Sequence, residues 1–165
     1  MRDYTKALIW GGRLLVLGMN SMSDKCFIDT NILVYAHDRA AGPKHQRAQR
    51  LIEHLWDSGQ GVLSTQVLQE LSVNLRRKAS RPLPMEEVRQ LLHDYSTWEI
   101  VTNTFDSILQ ALEIEVRYRI SFWDALIVQA AESSGASTLY SEDLAAGQHY
   151  GAIRVVNPLS PSASN

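Results

Sequence analysis

The chain has 165 residues, 45% hydrophobic and 21% charged, with a formal net charge of -2. This is ordinary for a soluble globular protein and leaves room for one domain with a real core. The charge neither indicates nor excludes nucleic acid, because a local basic stripe can coexist with a slightly acidic total.

Residues 1–21 read differently from the rest. Ala7 to Met19 is apolar but broken by Gly11, Gly12 and Arg13, too short and too interrupted to span a bilayer. Arg2 and Lys6 before an apolar run suit a signal peptide, whereas Arg13 inside it and the lack of a small-residue cleavage pattern do not. The expected organisation is an extension or product of an upstream start codon at 1–21, a domain at 22–158, and a flexible polar tail at 159–165.

From Lys25 the pattern alternates. Lys25 to Asp29 reads as a short buried strand and Thr30 to Asp38 as an apolar helix. Pro43 to Ser58 carries Ala48, Leu51, Ile52 and Leu55 on one helical face. A strand over Gly61 to Ser64 precedes a helix over Thr65 to Lys78, with Val67, Leu68, Leu71 and Leu75 inward. Pro82 and Pro84 punctuate, and Met85 to Tyr95 is a further helix. Glu99 to Thr102 reads as strand, Thr104 to Ile120 as helix, and Trp123 to Ser134 as a buried helix closed by Gly135. Ser137 to Ser141 and Ile153 to Val156 complete the strands. Short strands separated by helices imply an α/β domain, its parallel sheet covered on both faces.

Cys26 is the single cysteine, so no intrachain disulfide can form and a cytoplasmic setting fits. His37, His45, His54, His93 and His149 lack zinc-binding spacing. No Gly-rich phosphate loop is present. The chemistry therefore falls to carboxylates. Asp29 lies between an apolar strand and an apolar helix, at the carboxyl end of a strand where open α/β sheets bind ligands. Glu70, Asp124 and Asp143 occupy comparable junctions or helix starts. Each has an ordinary structural role available. Asp29 suits an N-cap, Glu70 a solvated helix boundary, Asp124 a capping box with Ser121, and Asp143 a turn. In a parallel sheet, however, strand ends and the helix starts beside them gather on one rim. Four carboxylates meeting there would repel one another without a divalent cation such as Mg2+.

Among the other charges, Glu113 with Arg117 and Glu115 with Arg119 read as i,i+4 surface pairs. Glu142 is expected to point away from Asp143. Arg76, Arg77, Lys78 and Arg81 form the densest basic cluster, and Lys44, Arg47 and Arg50 a second basic face.

Four segments together resemble the PIN-domain ribonucleases, and among them the VapC-type toxins. They are Phe27-Ile28-Asp29-Thr30-Asn31, Gln69-Glu70-Leu71, Ser121-Phe122-Trp123-Asp124-Ala125-Leu126-Ile127 and Leu139-Tyr140-Ser141-Glu142-Asp143. The resemblance spans Lys25 to Asn157. It implies a three-layer α/β/α fold and a pocket binding Mg2+ or Mn2+ through Asp29, Glu70, Asp124 and Asp143, supported by Asn31 and Ser141. It implies an endoribonuclease that hydrolyses RNA by a metal-activated water, leaving 5′-phosphate and 3′-hydroxyl ends. Arg76, Arg77, Lys78 and Arg81 would grip the substrate. A cognate antitoxin would block a groove near the site, and homodimers would form through the early helices, whose apolar faces could equally serve the core. The extension at 1–21 departs from the family pattern.

Two other classes fit less well. A haloacid-dehalogenase phosphatase needs a second aspartate where this chain has Asn31, and a receiver domain needs two acids near the first strand end. A non-catalytic or regulatory RNA-binding module on the same fold is the remaining alternative.

Overall fold

A computed structural model describes residues 24–161. The extension assigned to residues 1–21 and the last four residues lie outside them. Six strands form one sheet: β1 (Cys26–Ile28), β2 (Gly61–Ser64), β3 (Glu99–Val101), β4 (Thr138–Tyr140), β5 (His149–Tyr150) and β6 (Ile153–Val156), in the order β3-β2-β1-β4-β6-β5. All neighbouring strands run parallel except β5, which is antiparallel to β6. Six helices, α1 (Thr30–His37), α2 (Pro43–Ser58), α3 (Thr65–Arg77), α4 (Met85–Tyr95), α5 (Phe105–Tyr118) and α6 (Phe122–Ser133), complete a three-layer α/β/α architecture. Among the described residues, no helix is long and apolar enough to cross a membrane.

The central strands read as short unbroken apolar runs because both of their faces are covered. Phe27, Ile28, Leu63, Leu139 and Val155 are fully buried. Register places Cys26 beside Gly61 and Thr138, so β1 is hydrogen-bonded on both sides. Backbone pairing continues past its end, where Asp29 N donates to the Tyr140 carbonyl at 3.0 Å. The β1–α1 junction is thereby pinned to the β4 exit.

The helices expected over Pro43 to Ser58 and Met85 to Tyr95 match α2 and α4. The strand β5 is new: two residues joined to β6 through Gly151 at φ 57 are too short to show a period. Helix α5 stops at Tyr118, because Arg119 takes a left-handed conformation at φ 56. The expected Glu115–Arg119 pair is therefore not formed. Neither is Glu113–Arg117: among the described residues, the ion pairs join Lys25 to Glu99, Lys44 to Glu142 and Arg89 to Glu86. Exposed i,i+4 partners gain only a few tenths of a kcal/mol in water, about the cost of holding two long side chains.

The apolar faces of the early helices serve the core. Ile32, Leu33, Ala36, Ala48, Ile52 and Leu55 are all buried. Exposed apolar side chains gather instead on α5, at Phe105, Ile108, Leu109, Leu112 and Val116. At the chain's end Leu159 is buried, and its carbonyl accepts from Arg47 Nη1 at 2.8 Å.

An aromatic group closes the β2 side. Trp56 stacks on Tyr95 with centroids 5.4 Å apart, and Trp98 meets both edge to face. Trp98 lies over Gly61, where any Cβ would collide with its ring. Gly61→Ala is expected to destabilise the fold by about 1–3 kcal/mol, the usual range for overpacking. The check is the urea midpoint, and an unchanged midpoint would show that Trp98 moves aside freely.

Candidate active site

The β1–α1 junction builds the site. Asp29 is extended (φ -75, ψ 154) and caps α1, its side chain accepting from Thr30 N at 2.7 Å through Oδ1. The other carboxylate oxygen, Oδ2, accepts from Ser141 Oγ at 2.7 Å and Asn31 Nδ2 at 3.2 Å. The capping role and the candidate chemical role thus coexist in one residue. Asn31 Nδ2 also donates to Asp143 Oδ2 at 2.8 Å. One amide therefore bridges two carboxylates that are 114 positions apart in chain order, since residue 29 precedes residue 143 by that interval. Ser141 Oγ accepts in turn from the backbone of Asp143 at 3.2 Å and Leu144 at 3.3 Å, which turns the chain after β4.

Glu70 reaches the same place from α3. Ser64 ends β2 and caps α3, accepting from Val67 N at 3.3 Å. One turn further on, Glu70 Oε2 accepts from Thr30 Oγ1 at 2.8 Å. Its Oε1 accepts from Gln66 Nε2 at 2.9 Å, and the same nitrogen donates to the Trp123 carbonyl at 3.3 Å. Gln66 thus ties the Glu70 carboxylate to the first turn of α6.

Asp29, Glu70 and Asp143, with Asn31 and Ser141, share one network. Asp124 stands at its edge. It opens α6 one residue after Trp123, but its Oδ2 accepts from Ser121 Oγ at 2.8 Å. Ser121 Oγ accepts from Asp124 N at 3.1 Å, so the N-cap half of the expected capping box is formed, while the Asp124 carboxylate meets the Ser121 hydroxyl instead of its backbone N–H. Among the described residues, no three His, Cys, Asp or Glu side chains stand together as a ready ligand set.

Electrostatics single out Asp29. Burial pushes its carboxyl up to about 6, the Asp143 and Glu70 charges push the same way, and the Ser141 and Thr30 hydrogen bonds oppose them. The donor set is all carboxylate oxygen, which suits a hard divalent cation. A cation would offset both the desolvation and the mutual repulsion that raise Asp29.

The basic clusters are placed differently from one another. Arg77, Lys78 and Arg81 are exposed and Arg76 is half-buried, at and beyond the end of α3. Lys44, from the second basic face, has its own partners. It pairs with Glu142, beside Asp143, and its Nζ sits 4.7 Å from the Tyr35 ring centroid. That pair occupies the Glu142 carboxylate. Thr30 and Gln66 are functional neighbours that the sequence does not single out, although Thr30 adjoins Asp29 and Gln66 lies one turn before Glu70.

A cavity of about 960 Å³ lies at the other end of α1, lined by His37, His45, Ile52, Trp56, Arg81 and Leu83 among others. Burial holds His37 down at about 4, so it is neutral at pH 7. Its Nε2 meets the Tyr95 hydroxyl at 2.9 Å.

A family model described as the PIN domain matches residues 26–149, most of the chain. The chain belongs to the PIN domain family. The fold of this PIN domain is similar to several solved structures. Mycobacterium tuberculosis VapC20, a toxin that cleaves the sarcin-ricin loop, is 23% identical with TM-score 0.56, covering 72% of this chain and 90% of its own. A toxin–antitoxin complex from Klebsiella pneumoniae is 21% identical with TM-score 0.59, covering 81% and 98%. VapBC2 from Rickettsia felis, bound to a DNA fragment from its promoter, is 20% identical with TM-score 0.56, covering 79% and 96%. No curated protein matches the chain by sequence.

The raised Asp29 predicts a pH signature. Its folded value is about 6 against 3.8 when unfolded. Its stabilising contribution is therefore complete below about pH 4 and is lost as pH rises through 6. At pH 7.5, without divalent metal, Asp29→Asn should be more stable than wild type by at most about 3 kcal/mol. The gap should close by pH 4 in paired thermal melts. A wild type more stable than the variant at pH 7.5 would contradict it.

Proposed function

We propose that this PIN domain protein is a metal-dependent endoribonuclease, hydrolysing RNA phosphodiester bonds as the toxin of a toxin–antitoxin pair. The observation that carries the reading is the buried Asp29 carboxylate, raised to about 6 and joined through Asn31 to Asp143 and through Thr30 to Glu70.

Asp29, Glu70 and Asp143 would hold Mg2+ or Mn2+, with Asp124 joining them on release from Ser121. Such an ion, when bound, supplies a Lewis acid that makes water nucleophilic near neutral pH and offsets charge on the phosphoryl oxygens. The protein's own part is orientation. Ser141 and Asn31 fix Asp29 Oδ2, Thr30 N fixes Oδ1, and Gln66 with Thr30 fixes both oxygens of Glu70. No side-chain nucleophile is required. Cleavage should leave 5′-phosphate and 3′-hydroxyl ends. Arg76, Arg77, Lys78 and Arg81, at the end of α3, would contact the RNA backbone and make binding salt-sensitive.

The fold likeness to toxin–antitoxin complexes supports an antitoxin partner. That partner would enter a groove near the acids and block it. A homodimer would use the exposed stripe of α5, since the early helices have given their apolar faces to the core. A cytoplasmic location completes the toxin reading.

A second reading, a non-catalytic RNA-binding module, draws on the Asp124–Ser121 bond and the absence of a ready ligand set among the described residues. One assay separates the two. Wild type with Mg2+ or Mn2+ should cleave RNA, and chelation should stop it. Asp29→Asn, Glu70→Gln, Asp143→Asn and Asp124→Asn should each lose at least about 100-fold. Asn31→Ala and Ser141→Ala should lose about 10- to 100-fold, the usual cost of removing an orienting partner. RNA that is bound but never cut, with the fold intact, would favour the second reading.

A further inference from the structure

Trp123, in the first turn of α6, is 63% exposed. A tryptophan usually buries most of its surface. The other described tryptophans, Trp56 and Trp98, pack around Tyr95. Among the described residues, the aromatic ring that Trp123 meets is the neighbouring Phe122, edge to face with centroids 5.4 Å apart.

The backbone beneath this indole is held firmly. The Trp123 carbonyl accepts from Gln66 Nε2, the same atom that donates to Glu70 Oε1. Gln66 is 4% exposed, and its Oε1 has no hydrogen-bond partner. A buried amide whose acceptor goes unpaired is costly, and here its nitrogen ties the Trp123 backbone to an acidic side chain of the candidate site. Asp124 follows Trp123 directly in the chain.

Charge explains why an aromatic grip is useful there. The site is acidic and RNA is anionic, so the two repel wherever the carboxylates lack cations. Lys44 is already paired with Glu142, the residue before Asp143. A π-face holds a nucleobase without requiring positive charge. Such stacking tolerates any base, and bases splayed from single strands are its common targets.

We propose that Trp123 is the platform on which one nucleobase of a single-stranded RNA stacks, setting the strand's register over the acids. The proposal rests on the ribonuclease reading for its substrate. Its role is positioning of substrate, distinct from the chemistry of the carboxylates.

The test uses the full chain and a mixed-sequence single-stranded RNA 12-mer. Binding is measured in the Asp29→Asn background, where cutting is blocked, and cleavage with Asp29 intact. Trp123→Ala should weaken binding and lower kcat/KM by about 5- to 150-fold, the range set by base–aromatic stacking. The loss should fall mainly on KM, with Mn2+ affinity unchanged. Trp123→Phe should restore most of both. RNA should quench tryptophan emission in the Asp29→Asn protein but not once Trp123 is also replaced by Phe.

Binding and cleavage indifferent to Trp123→Ala would overturn the platform while leaving the ribonuclease reading intact. A Phe variant no better than Ala would also overturn it. So would dissociation of a dimer by Trp123→Ala with RNA affinity unchanged, which would make Trp123 a protein contact. Quenching by RNA that wild type never cleaves would support the platform and remove the ribonuclease reading. Absence of both binding and cleavage would overturn both.

Discussion

A single carboxylate held out of water organises this molecule. Asp29 ends the central strand, caps the following helix and accepts three hydrogen bonds, from Thr30 N, Ser141 Oγ and Asn31 Nδ2. Its burial costs stability whenever it is charged. Backbone pairing of β1 with β4 fixes the junction that carries it. The cost is therefore built into the topology rather than into one rotamer. A fold that places a charge there gains from any cation that meets it.

The rest of the site follows from that placement. Thr30 and Asn31, the next two residues, reach outward in different directions, one to Glu70 and one to Asp143. Three carboxylates from β1, α3 and the β4 exit are thus gathered by two neutral side chains. Gln66 extends the same frame to α6. Asp124 stands apart from them, its carboxylate accepting from the neighbouring Ser121 hydroxyl. Exchange of that local bond for a shared cation would complete the set, and the capping bond from Asp124 N would survive it.

Much of this was legible in the sequence, and the physical reasons differ by residue. Asp29 was legible because a charge between two apolar runs can sit only at a junction. The boundaries of α2 and α4 were legible because Pro43 and Pro84 mark their starts. Asp143 was placed by the short apolar strand before it. The strand β5 was not legible, because two residues carry no period and Gly151 supplies the turn. The end of α5 was missed because Arg119 takes a left-handed conformation that arginine rarely adopts. Lys44 was read as part of a basic face, since its Glu142 partner lies 98 residues away. Asp124 was legible as a cap and as an acid, and the structure displays the cap. The choice between early helices and α5 as an exposed apolar face needed three dimensions, because sequence shows that a face is apolar but not what covers it.

The central claim is that these acids share a divalent cation. A crystal structure grown with Mn2+ tests it most directly, through the anomalous signal of the ion. The account predicts a peak bounded by Asp29, Glu70 and Asp143, with the Asp124 carboxylate turned from Ser121 toward it. A well-ordered site with no peak at millimolar Mn2+, about the weak end for oxygen-ligand sites, would contradict it.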